Sequence, residues 1–142
     1  MRTVGVYELD DDLARVDLDV VWKFLSTEAY WARWRTREQV EEQVRTAWRV
    51  VGAYETAGGR QVGFARAFSD GVAMAYLADV FVVADARGTG LGKELVREMI
   101  DNGPGANFRW MLHTSDAHEL YRRYGFTEHT AGRYLEREAV RE

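Results

Sequence analysis

The residues best equipped for chemistry form the run Arg87-Gly88-Thr89-Gly90-Leu91-Gly92. It follows an apolar, strand-like segment, Ala73 to Val83, and opens a helix-like segment, Leu91 to Ile100. A glycine-rich turn between strand and helix exposes a row of backbone N–H groups at a helix N-terminus, a site for anions and above all for phosphates. The spacing excludes two familiar phosphate loops. A Walker A loop has Gly, four residues, then Gly-Lys and Ser or Thr. Here Gly92-Lys93 is followed by Glu94, and Arg87 stands five positions before Gly92. A dinucleotide fingerprint needs G-x-G-x-x-G near the start of a βαβ unit, with an acidic residue about 20 positions on. Here the third glycine comes one residue early, and the loop sits in the second half of the chain. The run predicts a phosphorylated small-molecule ligand and weighs against ATP or NAD.

Other chemistries are bounded by composition. The chain has no cysteine, which removes disulfides, thiolate metal sites and an acyl-cysteine intermediate. His113, His118 and His129 do not make a metal cluster, and no metal is predicted. Asp79 is the one acid inside its apolar strand, flanked by Ala78 and Val80. A lone charge there marks either a site or an outward-facing position. The net charge of −4 argues against nucleic acid as the main partner and favours a cationic acceptor such as an amine. With 142 residues, 46% hydrophobic and 30% charged, the chain reads as one globular domain, residues 1–142. No apolar run approaches the ~18 residues of a membrane span. Met1-Arg2-Thr3-Val4 leads into acidic residues rather than an apolar signal segment, so a cytoplasmic protein away from membranes is expected.

These residues must be positioned by a recognisable series of elements. Thr3 to Leu9 reads as a first strand, and Leu13 to about Glu28 as a helix with a stripe at Leu13, Val16, Val20 and Phe24. Tyr30 to Arg35 is a Trp-rich linker. Thr36 and Gln39 offer a capping box for a second helix to about Ala47. Trp48–Tyr54 and Gln61–Phe68 form a hairpin across Ala57-Gly58-Gly59-Arg60, and Ala73–Val83 follows. After the glycine loop and its helix come a strand, Phe108–His113, a helix, Asp116–Tyr124, and two last strands, Phe126–Thr130 and Arg133–Arg137. Strands joined by short turns must be antiparallel, whereas the strand-helix-strand unit after them is parallel. The sheet is therefore mixed.

A second motif sits downstream: Ala117-His118-Glu119-Leu120-Tyr121-Arg122-Arg123-Tyr124-Gly125-Phe126. It is similar to the A-x-x-L-Y-x-x-x-G-F ending of many enzymes of the GNAT superfamily of N-acetyltransferases. The glycine run resembles that family's Arg-Gly-x-Gly-x-Gly pyrophosphate loop. The order of elements resembles the family over nearly the whole chain. One departure is Thr114, where many members have Asn. The resemblance implies an α/β (α+β) fold, with a mixed, mostly antiparallel sheet, a central strand–Gly loop–helix unit and about four helices. It implies acetyl-coenzyme A as co-substrate and a primary amine of a small molecule or peptide as acceptor. Many family members are dimers, and an exposed strand edge permits a homodimer.

The resemblance also assigns residues. Arg87, Gly88, Thr89, Gly90, Leu91, Gly92 and Lys93 hold the pyrophosphate. Val80 and Val82 present backbone to the pantetheine, with Thr114, Ala117 and Tyr124 beside it. An amine with a pKa near ~10.4 must lose a proton to attack, and a thiol of about 8.5 must be stabilised as it leaves. Family pattern gives the acid to Tyr121, which equally shares a core-facing stripe with Ala117, Leu120 and Tyr124. Members that use a glutamate base carry it on the strand before the loop, and this strand has none. Asp79 is the candidate as base or amine anchor, His113 the alternative, and a water relay the third. Tyr30, Trp31 and Trp34 lie where the resemblance puts the acceptor, able to stack on a cation or to seal the core. A catalytically silent acyl-coenzyme A sensor remains the competing reading.

Overall fold

The computed structural model describes residues 1–29, 34–129 and 132–140. Six strands lie side by side in chain order: β1 Arg2–Val4, β2 Tyr7–Asp10, β3 Arg49–Glu55, β4 Gln61–Ser69, β5 Met74–Val82 and β6 Arg109–Met111. Neighbours are antiparallel except β5 and β6, which are parallel. Four α-helices accompany them: α1 Leu18–Thr27, α2 Arg37–Arg45, α3 Leu91–Met99 and α4 His118–Arg122. The expected mixed, mostly antiparallel α/β architecture is therefore present. Among the described residues no helix is long and apolar enough to cross a membrane.

Each face of the sheet buries its own core. On one face Val51, Ala53, Ala65, Ala67 and Leu77 pack against Leu91, Leu95, Val96 and Met99 of α3, with Tyr121 of α4. On the other, Val50, Phe64 and Phe81 pack against Val21, Phe24 and Leu25 of α1 and Val40 and Val44 of α2. The Phe24 and Phe81 rings stack at 4.1 Å. Two register shifts break the strict alternation of faces. Ala53 pairs with Gly63 and Tyr54 with Gln61, which skips Val62. Arg66 pairs with Asp79 and Ala67 with Leu77, which skips Ala78.

Several boundaries differ from the sequence expectation. Thr3–Leu9 is not one strand: Gly5 adopts φ 59, a left-handed turn that folds β1 back on β2. Val6 is consequently exposed rather than inward-facing. The helix expected from Leu13 is interrupted. Leu13–Arg15 is a single 3-10 turn, and α1 starts only after Asp17, whose carboxylate accepts from the N–H groups of Asp19 and Val20. The Thr36–Gln39 capping box forms as expected. No strand forms over 126–129 or 132–140, where one had been expected on each side of a short turn, and residues 132–140 are exposed.

Candidate functional site

The glycine loop turns where its sequence requires it. After β5 a 3-10 turn, Ala84–Ala86, leads into Gly88 (φ 78) and Gly90 (φ 82), left-handed positions that glycine occupies without a Cβ penalty. Gly90 is also the N-cap of α3 and supplies no side-chain cap. Among the described residues, none of the N–H groups from Gly88 through Lys93 has an intramolecular acceptor. Nothing stands within 4 Å of the position a Cβ would take on Gly88 or Gly90. The loop therefore rims a hollow of about 270 Å³, lined by Val82, Arg87, Gly88, Gly90, Gly92, Lys93 and Leu120 among others. Convergent unpaired N–H donors at the positive end of a helix fit a phosphate or pyrophosphate.

The loop's side chains are partly committed elsewhere. Arg87 Nε donates to the Val82 carbonyl at 3.1 Å. Thr89 Oγ1 donates to the Ala86 carbonyl at 2.7 Å. Their hydroxyl and Nε thus shape the turn, and the backbone is left to meet the anion. Leu91 is buried in the core under the loop, while Lys93 is exposed at its rim.

Beside this hollow the sheet splits. β6 pairs with β5 only over Met74–Tyr76 and Arg109–Met111. From Leu77 onward the β6 side of β5 has no ladder partner among the described residues, and a cleft of about 700 Å³ opens there. Ala78, Asp79 and Val80 of β5 form one wall, and Leu112, His113, Thr114, Ala117 and Tyr121 form the other. Skipping Ala78 in the β4–β5 register bends β5 at this point. The hollow and the cleft follow one another along β5, at Val82 then Val80, and along α4, at Leu120 then Ala117 and Tyr121.

Tyr121 is nearly buried, at 9% exposed, with its ring edge-on to Phe126 at 5.7 Å. Burial, with a smaller contribution from Asp116, pushes its phenol up to about 12. It is both a core residue and a cleft residue. Thr114 Oγ1 accepts from the backbone N–H groups of Ala117, at 3.1 Å, and Asp116, at 3.4 Å. Its hydroxyl serves the turn that opens α4, and the residue also lines the cleft. The Tyr124 hydroxyl donates to the Lys93 carbonyl at 2.7 Å, so it ties α4 to the first turn of α3 and lines neither hollow nor cleft.

Asp79 lines the cleft in a form unsuited to taking up a proton. It is 3% exposed. It accepts from Arg35 at 2.9 and 3.1 Å and from Arg66 Nε at 2.7 Å. Burial alone would raise its pKa, but the two guanidiniums outweigh burial and hold it below the ordinary 3.8. A carboxylate so held is a weak base, which weighs against Asp79 as the base, one of the two roles expected of it beside that of amine anchor. His113 is exposed and pairs through Nδ1 with the Tyr76 hydroxyl.

The acceptor aromatics fare unevenly. Tyr30 and Trp31 lie outside the described residues. Trp34 is 69% exposed, and the cleft lining passes through Arg35 instead. The aromatic wall comes from elsewhere: Phe68, Tyr76 and Tyr134. Arg35, Arg66, Tyr76 and Glu136 also line the cleft and were not singled out from sequence. One signal was available. Arg66 is the one charge between Gln61 and Phe68, as Asp79 is in its own strand, and lone opposite charges on adjacent strands pair across a sheet.

Comparison with known proteins bears on this arrangement. Residues 46–128 match the family model for the acetyltransferase (GNAT) domain. A crystal structure of a protein from Xanthomonas campestris pv. campestris, assigned to the GNAT acetyltransferases, superposes with a TM-score of 0.87 at 32% identity, covering 97% of this chain and 96% of that one. A Deinococcus radiodurans R1 protein described as an acetyltransferase gives a TM-score of 0.70 at 25% identity, covering 96% and 92%. No curated protein matches the sequence.

Proposed function

Because this chain belongs to the GNAT acetyltransferase family, we propose that it moves an acetyl group from acetyl-coenzyme A directly to a primary amine, with both held in a ternary complex. Acyl transfer is the chemistry of that family. The supporting observation is the succession of two cavities along β5 and α4: an anion cradle of orphaned N–H groups beside Val82 and Leu120, then a cleft lined by Val80, Ala117 and Tyr121.

The roles follow from the geometry. Backbone N–H groups of Gly88 to Lys93 hold the pyrophosphate, with Lys93 adding charge at the rim. The β6-side edge of β5, which has no ladder partner among the described residues, aligns the pantetheine by strand-like hydrogen bonds through Val80 and Val82, the Val82 carbonyl being already engaged by Arg87 Nε. Acetyl-coenzyme A supplies an activated thioester: a C–N bond forms as the C–S bond breaks. Tyr121 Oη holds a proton for the departing sulfur. A phenol at about 12 is less acidic than a thiol of about 8.5, so it acts first as a hydrogen-bond donor to developing thiolate charge. His113, exposed and oriented by Tyr76, accepts the proton released by the amine. Each proton thus has a destination, and Asp79 is left as a structural ion.

The test is an amine-panel assay for thiol release, run with wild type and Tyr121→Phe in parallel and with coenzyme A affinity measured on both. Acetyl-coenzyme A binding with no thiol release across a broad panel would instead support the silent sensor. The chain's cytoplasmic location and its capacity to dimerise belong to this same proposal.

A further inference from the structure

The cleft carries charge that acyl transfer does not use. Arg66 and Asp79 are cross-strand partners on β4 and β5, and Arg66 gives that carboxylate only its Nε. Arg66 is 7% exposed, yet its two Nη nitrogens have no acceptor among the described residues. Nor are they sealed: the fully buried side-chain donors and acceptors left without a partner are Arg49 Nε and Tyr54 Oη. The Nη pair therefore opens into the cleft that Arg66 lines. A guanidinium fork matches the planar geometry of a carboxylate.

The charge balance points the same way. Arg35 and Arg66 share the Asp79 carboxylate, and the other partner of Arg35 is the neutral Gln43 amide. Surplus positive charge away from water is costly unless an anion meets it. The rest of the lining has the opposite sign. Asp116 and Glu136 line the same cleft and are both exposed, as is His113. Asp116 is near enough to Tyr121 to disfavour its phenolate. Basic groups shielded from water and acidic groups open to it line one cleft.

We infer that the acceptor is a zwitterion of the amino-acid class, its carboxylate held by the Arg66 Nη pair and its amine at the acidic wall beside Tyr121. This rests on the acyl-transfer reading. Phe68 and Tyr76, stacked at 5.0 Å, and Tyr134 line the same cleft and suit an aromatic or apolar side chain on that acceptor.

The experiment compares free amino acids, phenylalanine among them, with their carboxamides. Thiol release is measured for wild type, Arg66→Gln, Arg66→Lys and the double variant Arg66→Gln/Asp79→Asn, which removes the buried pair together. Wild type should favour at least one acid over its amide by about tenfold or more in kcat/KM. The ratio should fall to near one in the glutamine variants, and Arg66→Lys should lie between, keeping charge but losing the fork. Equal rates with acid and amide throughout, or an acid preference that survives in a folded glutamine variant, would overturn the inference. Thermal protection by the N-acetylated acids and amides reads the same site without turnover. Protection of wild type by an acid alone, lost in the double variant, supports the carboxylate site even if no amine releases thiol, in which case the acyl-transfer reading is what fails. No protection by any acid would overturn the inference itself.

Discussion

The proposed mechanism gives Tyr121 two jobs, core packing and proton donation, and its environment reconciles them. Packing against Phe126 and the α3 face removes it from water, and the same burial keeps its hydroxyl protonated far above neutrality. Tyr121→Phe keeps the ring and deletes the donor. We expect turnover to fall by about 10²-fold, with coenzyme A affinity unchanged and with the same fractional loss at every pH from 6 to about 10, because the phenol does not titrate there. Unchanged turnover would remove Tyr121 from the reaction. His113, the proposed proton acceptor, is tested separately. His113→Gln should lower kcat/KM by about 10²-fold; a kcat/KM left unchanged in the variant assigns the base elsewhere. Neither residue's role could be read from spacing alone. Tyr121 was legible through a motif that encodes a local helix, whereas the weak basicity of Asp79 depends on Arg35 and Arg66, which arrive from a linker and a neighbouring strand.

At the scale of elements, the site depends on keeping α4 in step with α3. A polar link between them is the Tyr124 hydroxyl, just past the end of α4, on the Lys93 carbonyl, in the first turn of the helix whose N-terminus forms the proposed anion cradle. Tyr124→Phe should cost about 1 kcal/mol in denaturant melts without a change in m. Coenzyme A affinity should weaken by no more than about fivefold, the equivalent of that loss. A loss well beyond tenfold would mean that the hydroxyl touches the ligand, as the sequence reading had it. Elements such as α2, α3 and the β3–β4 hairpin were legible because cap, stripe and turn are local signals. The N-terminal hairpin was not, since Val4 and Val6 alternate like one strand and only the backbone at Gly5 reveals the turn. The cleft was invisible for a related reason: it exists because β5 skips Ala78 against β4 and parts from β6, and register is a property of pairs of strands.

Among the described residues two phenols are buried at separate places, Tyr121 on α4 and Tyr54 on β3 beneath the Arg15 guanidinium. Burial pushes both up to about 12, and in Tyr54 the Arg15 charge offsets only part of that rise. The unfolded chain releases these protons near the ordinary 10.0. Between pH 10 and about 12 the unfolded state therefore binds fewer protons than the folded one, and stability falls as pH rises. A rise from 10.0 to about 12 corresponds to about 3 kcal/mol per phenol when fully developed, a large share of the 5–15 kcal/mol typical of a domain. Asp79 acts in the opposite sense at the other end: its depressed pKa adds stability that is present above 3.8 and lost as pH falls through the folded value. Denaturant melts from pH 8 to 11.5 should show a plateau and then a decline beginning near pH 10. Tyr121→Phe and Tyr54→Phe should each remove part of that decline. Tyr54→Phe should in addition leave stability at pH 8 unchanged or higher, because its hydroxyl is buried without a partner among the described residues. Stability that stays flat to pH 11.5, or a decline untouched by either substitution, would show that neither ring is sealed from water in the folded chain.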